Sequence, residues 1–199
     1  MNNLAIDVSV SGCSVAIINK KQNLSISRFV DTDRGQAEML IPMIDEIVKE
    51  SNLKMSDIEM ITVTRGPGSF TGVRIGLATA RSLGLALNIP VLGISTLDAI
   101  ARAHDDKSAL FLIDTKRGDF YGQVGEGGEA RIWSEADIVS FKGGIVKDVM
   151  PQISVIADMG AELYLGQKGY DIQSSPTPIY LRDAEVSQSK KPSLYTINP

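Results

Sequence analysis

The stretch "RGPGSFTGVRIGLATARSLGLAL", residues 65–87, decides the fold, because it reads as a glycine-rich loop that leads straight into a helix. The segment "IEMITVT" (58–64) precedes it and "IPVLGIS" (89–95) follows it, and both are short apolar runs typical of buried strands. A strand, a helix and a second strand in this order form a right-handed crossover between parallel strands. The unit predicts a sheet covered by helices.

Three more strand-like runs lie upstream of this unit. They are "LAIDVSV" (4–10), "CSVAIIN" (13–19) and "LSISRFV" (24–30), and the short turns between them are typical of an antiparallel meander. Helices are predicted over 36–50 and over "TLDAIARAH" (96–104). The first half therefore reads βββαβαβα, which predicts a mixed α/β sheet.

The second half repeats the beginning of the first. Within "ALFLIDTKRGDFYGQVG" (109–125), Asp114 ends an apolar strand and a turn and a strand follow, as they do after Asp7. A weak helical stretch in "ARIWSE" (130–135), a strand in "ISVIADMG" (153–160) and a short helix in "AELYLGQ" are expected next. This order of elements predicts a curtailed second copy of the first half.

The predicted organisation is therefore two lobes that pack against each other. The expected divisions are a first lobe over 1–104, a smaller C-terminal lobe over 105–185 and a flexible polar tail over 186–199.

Composition excludes several function classes. The chain has 199 residues, 43% of them hydrophobic, and a net charge of −4, so no summed basic field favours autonomous binding of tRNA or DNA. No apolar run is long enough for a membrane span and no secretory leader precedes the first strand, so we expect a cytoplasmic location. The single cysteine, Cys13, and the single histidine, His104, exclude an internal disulfide and a metal site of several histidines.

The glycine-rich loop and the two strand-end aspartates form a candidate nucleotide or anion site. The loop glycines permit unusual backbone geometry, and the start of the helix favours an anion. Paired aspartates can hold a hydrated Mg²⁺ against phosphates, but the alternative is that both accept turn hydrogen bonds. No catalytic residue is predicted, because Ser69 has only His104 as an imidazole base and that residue caps a helix end. The candidates are Asp7, Gly66, Gly68, Ser69, Thr71, Arg74 and Asp114.

Small residues at every fourth position of the glycine helix predict a close neighbour. Each helical glycine costs about 1 kcal/mol relative to alanine, so either the chain's own sheet or a helix of another chain must approach it. The helix over 36–50 carries two apolar rows that cover a wider arc than docking on one sheet requires, and its edge is rich in Met. We therefore predict a protein interface, with internal packing as the alternative. Its candidates are Met39, Met43, Ile47, Gly72, Val73, Gly76, Ala80 and Gly84.

The sequence resembles the TsaB family, also called YeaZ, the bacterial paralogues of the tRNA-modifying protein TsaD. The resemblance lies in "LAIDVSVSGCSVAII" (4–18), "AEMLIPMIDEIV" (37–48), "IYLRDAEV" (179–186) and above all "RGPGSFTGVRIGLATARSLGLALNIPVLGISTLDAIA" (65–101). It implies an actin-like (ASKHA) fold of two ribonuclease-H-like lobes.

The resemblance also implies a function. Members of the family support formation of the threonylcarbamoyl group on adenosine 37 of ANN-decoding tRNAs, as partners of TsaD together with the ATPase TsaE. Their first two helices form the TsaD-binding and self-dimer surface. This chain would then be a catalytically inactive scaffold that reaches tRNA only through the complex. It would need no cofactor of its own, with ATP or ADP at the partner interface left open.

Two other functions compete with this one. The first is a stand-alone nucleotide-binding enzyme of the actin-like class, and the second is a peptidase of the M22 glycoprotease type. The sequence departs from the family at Gln36, where many relatives have a histidine, and its C-terminal lobe is shorter than usual. The shorter lobe weighs against nucleotide binding by this chain alone.

Overall fold

The computed structural model describes residues 1–166 and 175–182, which form two mixed sheets flanked by helices. The strands are β1 Asn3–Asp7, β2 Cys13–Asn19, β3 Leu24–Val30, β4 Met60–Thr64, β5 Val91–Ile94, β6 Leu110–Asp114, β7 Phe120–Val124, β8 Arg131–Trp133 and β9 Ile145–Lys147. The helices are α1 Gln36–Glu50, α2 Phe70–Leu87, α3 Thr96–Arg102, α4 Glu135–Ser140 and α5 Ile153–Gly166.

The two sheets share one pattern of connections. The first sheet has the order β3-β2-β1-β4-β5, in which β1 is antiparallel to β2 and parallel to β4. The second has the order β8-β7-β6-β9, in which β6 is antiparallel to β7 and parallel to β9. The predicted α/β class, the internal repeat and the two-lobed actin-like architecture are confirmed.

Helices cover both faces of the first sheet. Because side chains alternate along a strand, Leu4 and Ile6 of β1 face the core under α1 and α2, whereas Ala5 between them faces α5. Every residue of β1 is buried, and so is every residue of β4. The central strands of this sheet thus need helices on both sides.

The region after residue 130 differs from the expectation. Residues 153–160, predicted as a strand, are the first half of α5, whose buried residues Ile156, Ala157 and Gly160 have the spacing of a helix face. The predicted helix over 130–135 is strand β8 followed by the start of α4, and β9 was not predicted.

The division expected at residue 104 separates the two sheets, although α5 lies beyond it and packs on the first sheet. The tail predicted over 186–199 lies outside the described residues.

The cysteine and the histidine both have structural surroundings. Cys13 is fully buried in β2, and burial raises the pKa of its thiol. The His104 ring packs edge-on against Phe111, with ring centres 5.5 Å apart. No helix within residues 1–166 and 175–182 has the length and apolar character needed to cross a membrane.

Candidate functional site

The loop between β4 and α2 is packed down onto the end of β1. Ser69 donates its backbone N–H to the carbonyl oxygen of Ser9 at 2.6 Å, and its hydroxyl accepts from the N–H of Gly72 at the first turn of α2. A side chain at Gly68 would collide with Ser9, whose carbonyl carbon lies 2.9 Å from the position of a β-carbon there. Gly66 adopts a φ of +90°, which favours glycine. The two glycines and the Ser69 cap therefore fix the conformation of this loop.

Asp7, the last residue of β1, holds this junction together. Its Oδ1 accepts from the backbone N–H of Ser9 at 3.0 Å, from the Ser9 hydroxyl at 2.6 Å and from the Thr64 hydroxyl at 2.6 Å. The side chain is buried, and desolvation raises the pKa of its carboxyl. Asp7 is absent from the lining of the cleft described below. It links two strand ends, which is the alternative that the sequence offered for it.

Asp114, at the equivalent end of β6, has a different environment. Its Oδ1 accepts from the backbone N–H of Lys116 at 2.6 Å, and its Oδ2 lies 3.2 Å from the Lys116 ammonium. These interactions hold the pKa of Asp114 below its ordinary value. Since Asp114 faces the cleft and Asp7 is enclosed, the two carboxylates do not form the expected Mg²⁺ pair. Among residues 1–166 and 175–182, no three His, Cys, Asp or Glu side chains are grouped so as to hold a metal ion.

A cleft of about 600 Å³ separates the two lobes. Its volume falls within the range of small-molecule sites. The lining includes Ser69 and Phe70 at the start of α2, Gln36 at the start of α1, and Asp114 and Lys116 from the second lobe. The structure thus brings part of the predicted nucleotide loop, Gly68 and Ser69, to the same cleft as Asp114.

Two other residues predicted for that site lie elsewhere. The Arg74 guanidinium stacks 3.6 Å from the centre of the Phe70 ring, and its Nε donates to the hydroxyl of Tyr180 at 2.8 Å. Thr71 is exposed, and neither Thr71 nor Arg74 lines the cleft. Arg74 is therefore committed to an aromatic cluster.

The glycine stripe of α2 faces the chain's own sheet. A β-carbon at Gly72 would overlap the carbonyl oxygen of Val8, and one at Gly84 would overlap the side chain of Val91. At Gly76 a β-carbon would meet Val63 at an ordinary 3.5 Å. Val73 and Ala80 are buried in the same core. The prediction that this stripe accepts a helix of another chain is wrong, because the first sheet already fills it.

The Met-bearing face of α1 has a similar explanation. Met43 and Ile47 are buried, and Met39 is partly buried against the same core. The apolar arc is wide because α1 packs on β2 and β3 and also against α2. The predicted interface residues of α1 thus lie inside the lobe in this structure.

A different face of the helix pair is exposed. Ile41 of α1 is 50% exposed and Leu85 of α2 is 86% exposed. On α2, Ala78 and Ser82 are also exposed and share the side of Leu85, at helical spacings of seven and three residues. We give the name outward face to five of the exposed residues on these two helices, Ile41, Pro42, Ala78, Ser82 and Leu85. In the sequence, this face was indicated only by the positions of the two helices that lie outside their buried apolar rows.

Comparisons with known proteins agree with this fold. A family model described as "TsaD: tRNA N6-adenosine threonylcarbamoyltransferase" matches residues 30–140. A crystal structure of an uncharacterized Pseudomonas aeruginosa protein with similarity to peptidase YeaZ superposes with a TM-score of 0.76 at 22% identity, covering 91% of this chain and 99% of that one. The structure of YeaZ from Pseudomonas aeruginosa gives a TM-score of 0.72, also at 22% identity, over 90% of this chain and 99% of that one.

Sequence relatives give the family more directly. A protein of Buchnera aphidicola from Schizaphis graminum, named tRNA threonylcarbamoyladenosine biosynthesis protein TsaB, is 36% identical over 59% of this chain, and the match covers 57% of the relative. The chain thus spans little more than half the length of that relative. The Escherichia coli protein of the same name is 32% identical over 94% of this chain and 80% of its own length. The chain therefore belongs to the TsaB family, also known as YeaZ.

Proposed function

We propose that this protein acts in the cytoplasm in forming threonylcarbamoyladenosine in tRNA, as a non-catalytic partner of TsaD that works together with TsaE. The observation that carries the proposal is the family, whose relatives bear the name of this biosynthetic pathway. A match of residues 30–140 to the TsaD family model supports the same pathway.

We assign the contact with TsaD to the outward face of α1 and α2. Leu85 and Ile41 expose apolar side chains there, and burial of such side chains against a partner is favourable. This assignment replaces the glycine stripe, which the first sheet fills. The same face is the proposed contact between two copies of the chain when TsaD is absent, and tRNA is reached only through the complex.

The proposal gives this chain no catalytic group. Ser69, which lines the cleft, uses its hydroxyl to cap α2. The only imidazole, His104, lies against Phe111. These positions also weigh against the M22-type peptidase.

The test compares two matched substitutions of exposed leucines. Leu85→Asp changes the outward face, whereas Leu165→Asp changes α5 on the opposite side of the sheet, where the leucine is 79% exposed. Each variant is mixed with TsaD and passed over a size-exclusion column. We expect Leu85→Asp to abolish co-elution and Leu165→Asp to retain it. Retention by both variants would remove the interface assignment, and failure of the wild type to co-elute would remove the partnership itself.

The interlobe cleft favours one second candidate, a stand-alone nucleotide-dependent enzyme. Its volume of about 600 Å³ suits a small molecule, and Lys116 and Arg182 line it. Against this candidate, Asp7 is enclosed rather than presented to the cleft. Titration of the isolated protein with Mg-ATP separates the two functions: the partner function predicts no turnover by this chain alone, whereas turnover that is lost in Asp114→Ala would support the enzyme.

A further inference from the structure

Residues 175–182, which we call the strap, run along the first lobe near the glycine-rich loop. The backbone N–H of Ile179 donates to the carbonyl oxygen of Arg65 at 2.7 Å. The Arg81 guanidinium of α2 donates to the carbonyl oxygen of Pro176. The Tyr180 hydroxyl accepts from Arg74 Nε at 2.8 Å. The strap is thus tied to the first lobe by main-chain and side-chain hydrogen bonds along its length.

Two glycines of the first lobe leave the room that the strap occupies. A β-carbon on Gly93 of β5 would lie 2.5 Å from Cβ of Pro176 and 2.9 Å from Cδ of Arg65. A β-carbon on Gly66 would lie 3.0 Å from the carbonyl oxygen of Ile179. A glycine inside a strand weakens the strand, and no turn explains the glycine at position 93. The close passage of the strap gives a physical reason for a residue without a side chain there.

The far end of the strap reaches the second lobe. The Arg182 guanidinium pairs with the carboxylate of Asp119, next to the start of β7, and both side chains are mostly shielded from water, at 24% and 22% exposure. Arg182 also lines the interlobe cleft. The Asp119 pKa lies below its ordinary value because of the Thr115 hydroxyl and Arg182. The ion pair therefore joins the lobes at the cleft.

The β6–β7 hairpin is attached to the first lobe at both of its ends. The turn end carries Asp119, and the opposite end carries Gln123, whose Nε2 donates to Asp98 of α3 at 2.6 Å. Release of the strap would free the turn at residues 115–119 from its ion pair. The strands on either side would stay in place, because Ile113 and Tyr121 share an apolar cluster with Leu97 of α3.

We propose that the strap is a latch between the lobes, and that its release at either end frees the turn of the β6–β7 hairpin and opens the cleft. The inference goes beyond the proposed function, because it concerns how access to the cleft is set rather than which partner is bound. Its physical basis is that the strap is held at two ends. Pro176 packs against Gly93 at the fitted end, and Arg182 pairs with Asp119 at the charged end.

The test is amide hydrogen exchange of the full chain. In the wild type we expect the Ile179 amide to be protected, because it donates to Arg65. Arg182→Gln removes the charged end and Gly93→Val displaces the fitted end. Each is expected to speed exchange about tenfold both in the strap and in the turn at residues 115–119. Arg182→Lys, which keeps the charge, is expected to restore much of the protection.

Lys20→Gln provides the matched control, since it removes an ion pair with Asp158 at 2.8 Å that lies outside the strap. Exchange in the strap and in the turn is expected to be unchanged in this variant. The latch is overturned if Gly93→Val frees the strap but leaves the turn as protected as before. It is equally overturned if the Ile179 amide of the wild type exchanges as fast as an unstructured peptide, a result that needs no variant to fold.

Discussion

Gly160 of α5 lies directly on Thr62 of β4, so that a β-carbon at position 160 would be 2.8 Å from Cβ of Thr62 and closer still to its hydroxyl. The Thr62 hydroxyl donates to Oδ1 of Asn3 at 3.0 Å, and the Asn3 amide donates to the carbonyl oxygen of Ala157 at 2.8 Å. A buried polar network therefore fixes α5 to the sheet at the place where the helix comes nearest. Gly160 is therefore a packing residue.

We predict that Gly160→Ala lowers the free energy of unfolding by about 2 kcal/mol, because overpacking at a rigid contact forces the helix away from the sheet. Gly166→Ala, in the same helix, is the control, since a β-carbon there meets no atom of the described residues within 4 Å. The measurement is urea denaturation followed by circular dichroism. Equal stability of the two variants would contradict the packing role of Gly160.

A second prediction separates two glycines of α2. Gly72→Ala drives a β-carbon into the carbonyl oxygen of Val8 and is expected to lower the thermal midpoint by several degrees. Gly76→Ala meets only side chains, the nearest at 3.5 Å, and gains helix propensity of up to about 1 kcal/mol. Differential scanning calorimetry should therefore place the two variants on opposite sides of the wild type, or Gly76→Ala level with it. A reversed order would show that the stripe does not face the sheet.

A third prediction concerns Asp7 and pH. The Asp7 pKa is raised above its ordinary value of 3.8, so the folded state favours the protonated carboxyl. The stability that protonation adds is fully present below pH 3.8 and is lost as pH rises through the pKa of the folded state. Asp7→Asn keeps an acceptor for Ser9 and Thr64 without the buried charge. It is expected to be more stable than the wild type at pH 7, by a margin that shrinks on acidification.

Asp7→Ala is the informative companion, because it leaves the buried hydroxyls of Ser9 and Thr64 without their acceptor. Denaturant titration is expected to show a loss of about 2 kcal/mol in the free energy of unfolding under acid, where the wild-type carboxyl is protonated. The loss is expected to be smaller at pH 7, because the variant also lacks the buried charge. A destabilised Asp7→Asn at neutral pH would mean that the carboxylate is charged and stabilising in the folded protein.

A fourth prediction addresses the α3 side of the interlobe junction. Arg102 of α3 donates Nε to Glu126 at 2.7 Å and Nη1 to Glu162 at 2.8 Å, which lowers the pKa of Glu126. A lowered carboxyl pKa contributes stability that is present above about 4.5 and is lost as pH falls through the folded-state value. Arg102→Gln is expected to lower the free energy of unfolding by about 1 kcal/mol at pH 7 and by less under acid. The effect is modest because these side chains are partly solvated.

Lys49→Gln is the control for this change, because its partner Asp45 lies one helical turn away on an exposed surface. Its loss of stability is expected to be smaller than that of Arg102→Gln, because water screens an exposed ion pair. If both variants lost the same amount in thermal melts, Arg102 would be an ordinary surface charge rather than part of the junction.

The first lobe was predictable because its elements have clear periods and clear ends. The helix predicted over 36–50 has these bounds in α1, and the helix predicted to follow the glycine-rich loop within 65–87 is α2. The second half of α5 agrees with the short helix predicted in "AELYLGQ". Its first half was missed because "ISVIADMG" is a short apolar run, which periodicity cannot assign to a strand or a helix. Its partner Thr62 is distant in the sequence, so the small residue at 160 gave no indication of what it contacts.

The candidate site shows a different limit. Gly72 and Gly84 correctly indicated that something approaches α2, yet a strand of the same chain and a helix of another chain both require small residues there. Gly93 gave no usable signal, because the segment that fills its space lies near the other end of the chain. The sequence pattern therefore indicated close contact at these positions without identifying the contacting segment.

The cover that α5 gives to the first sheet has a consequence for synthesis on the ribosome. Strands β1 and β4 emerge early, but the helix that shields their second face is completed only at residue 166. Until then, Ala5, Ala16 and Ile94 stay uncovered on a nearly finished sheet. A nascent chain stopped near residue 104 would therefore expose one apolar face of its sheet and be a substrate for chaperones. The first lobe would reach its native form only when the second lobe had left the exit tunnel.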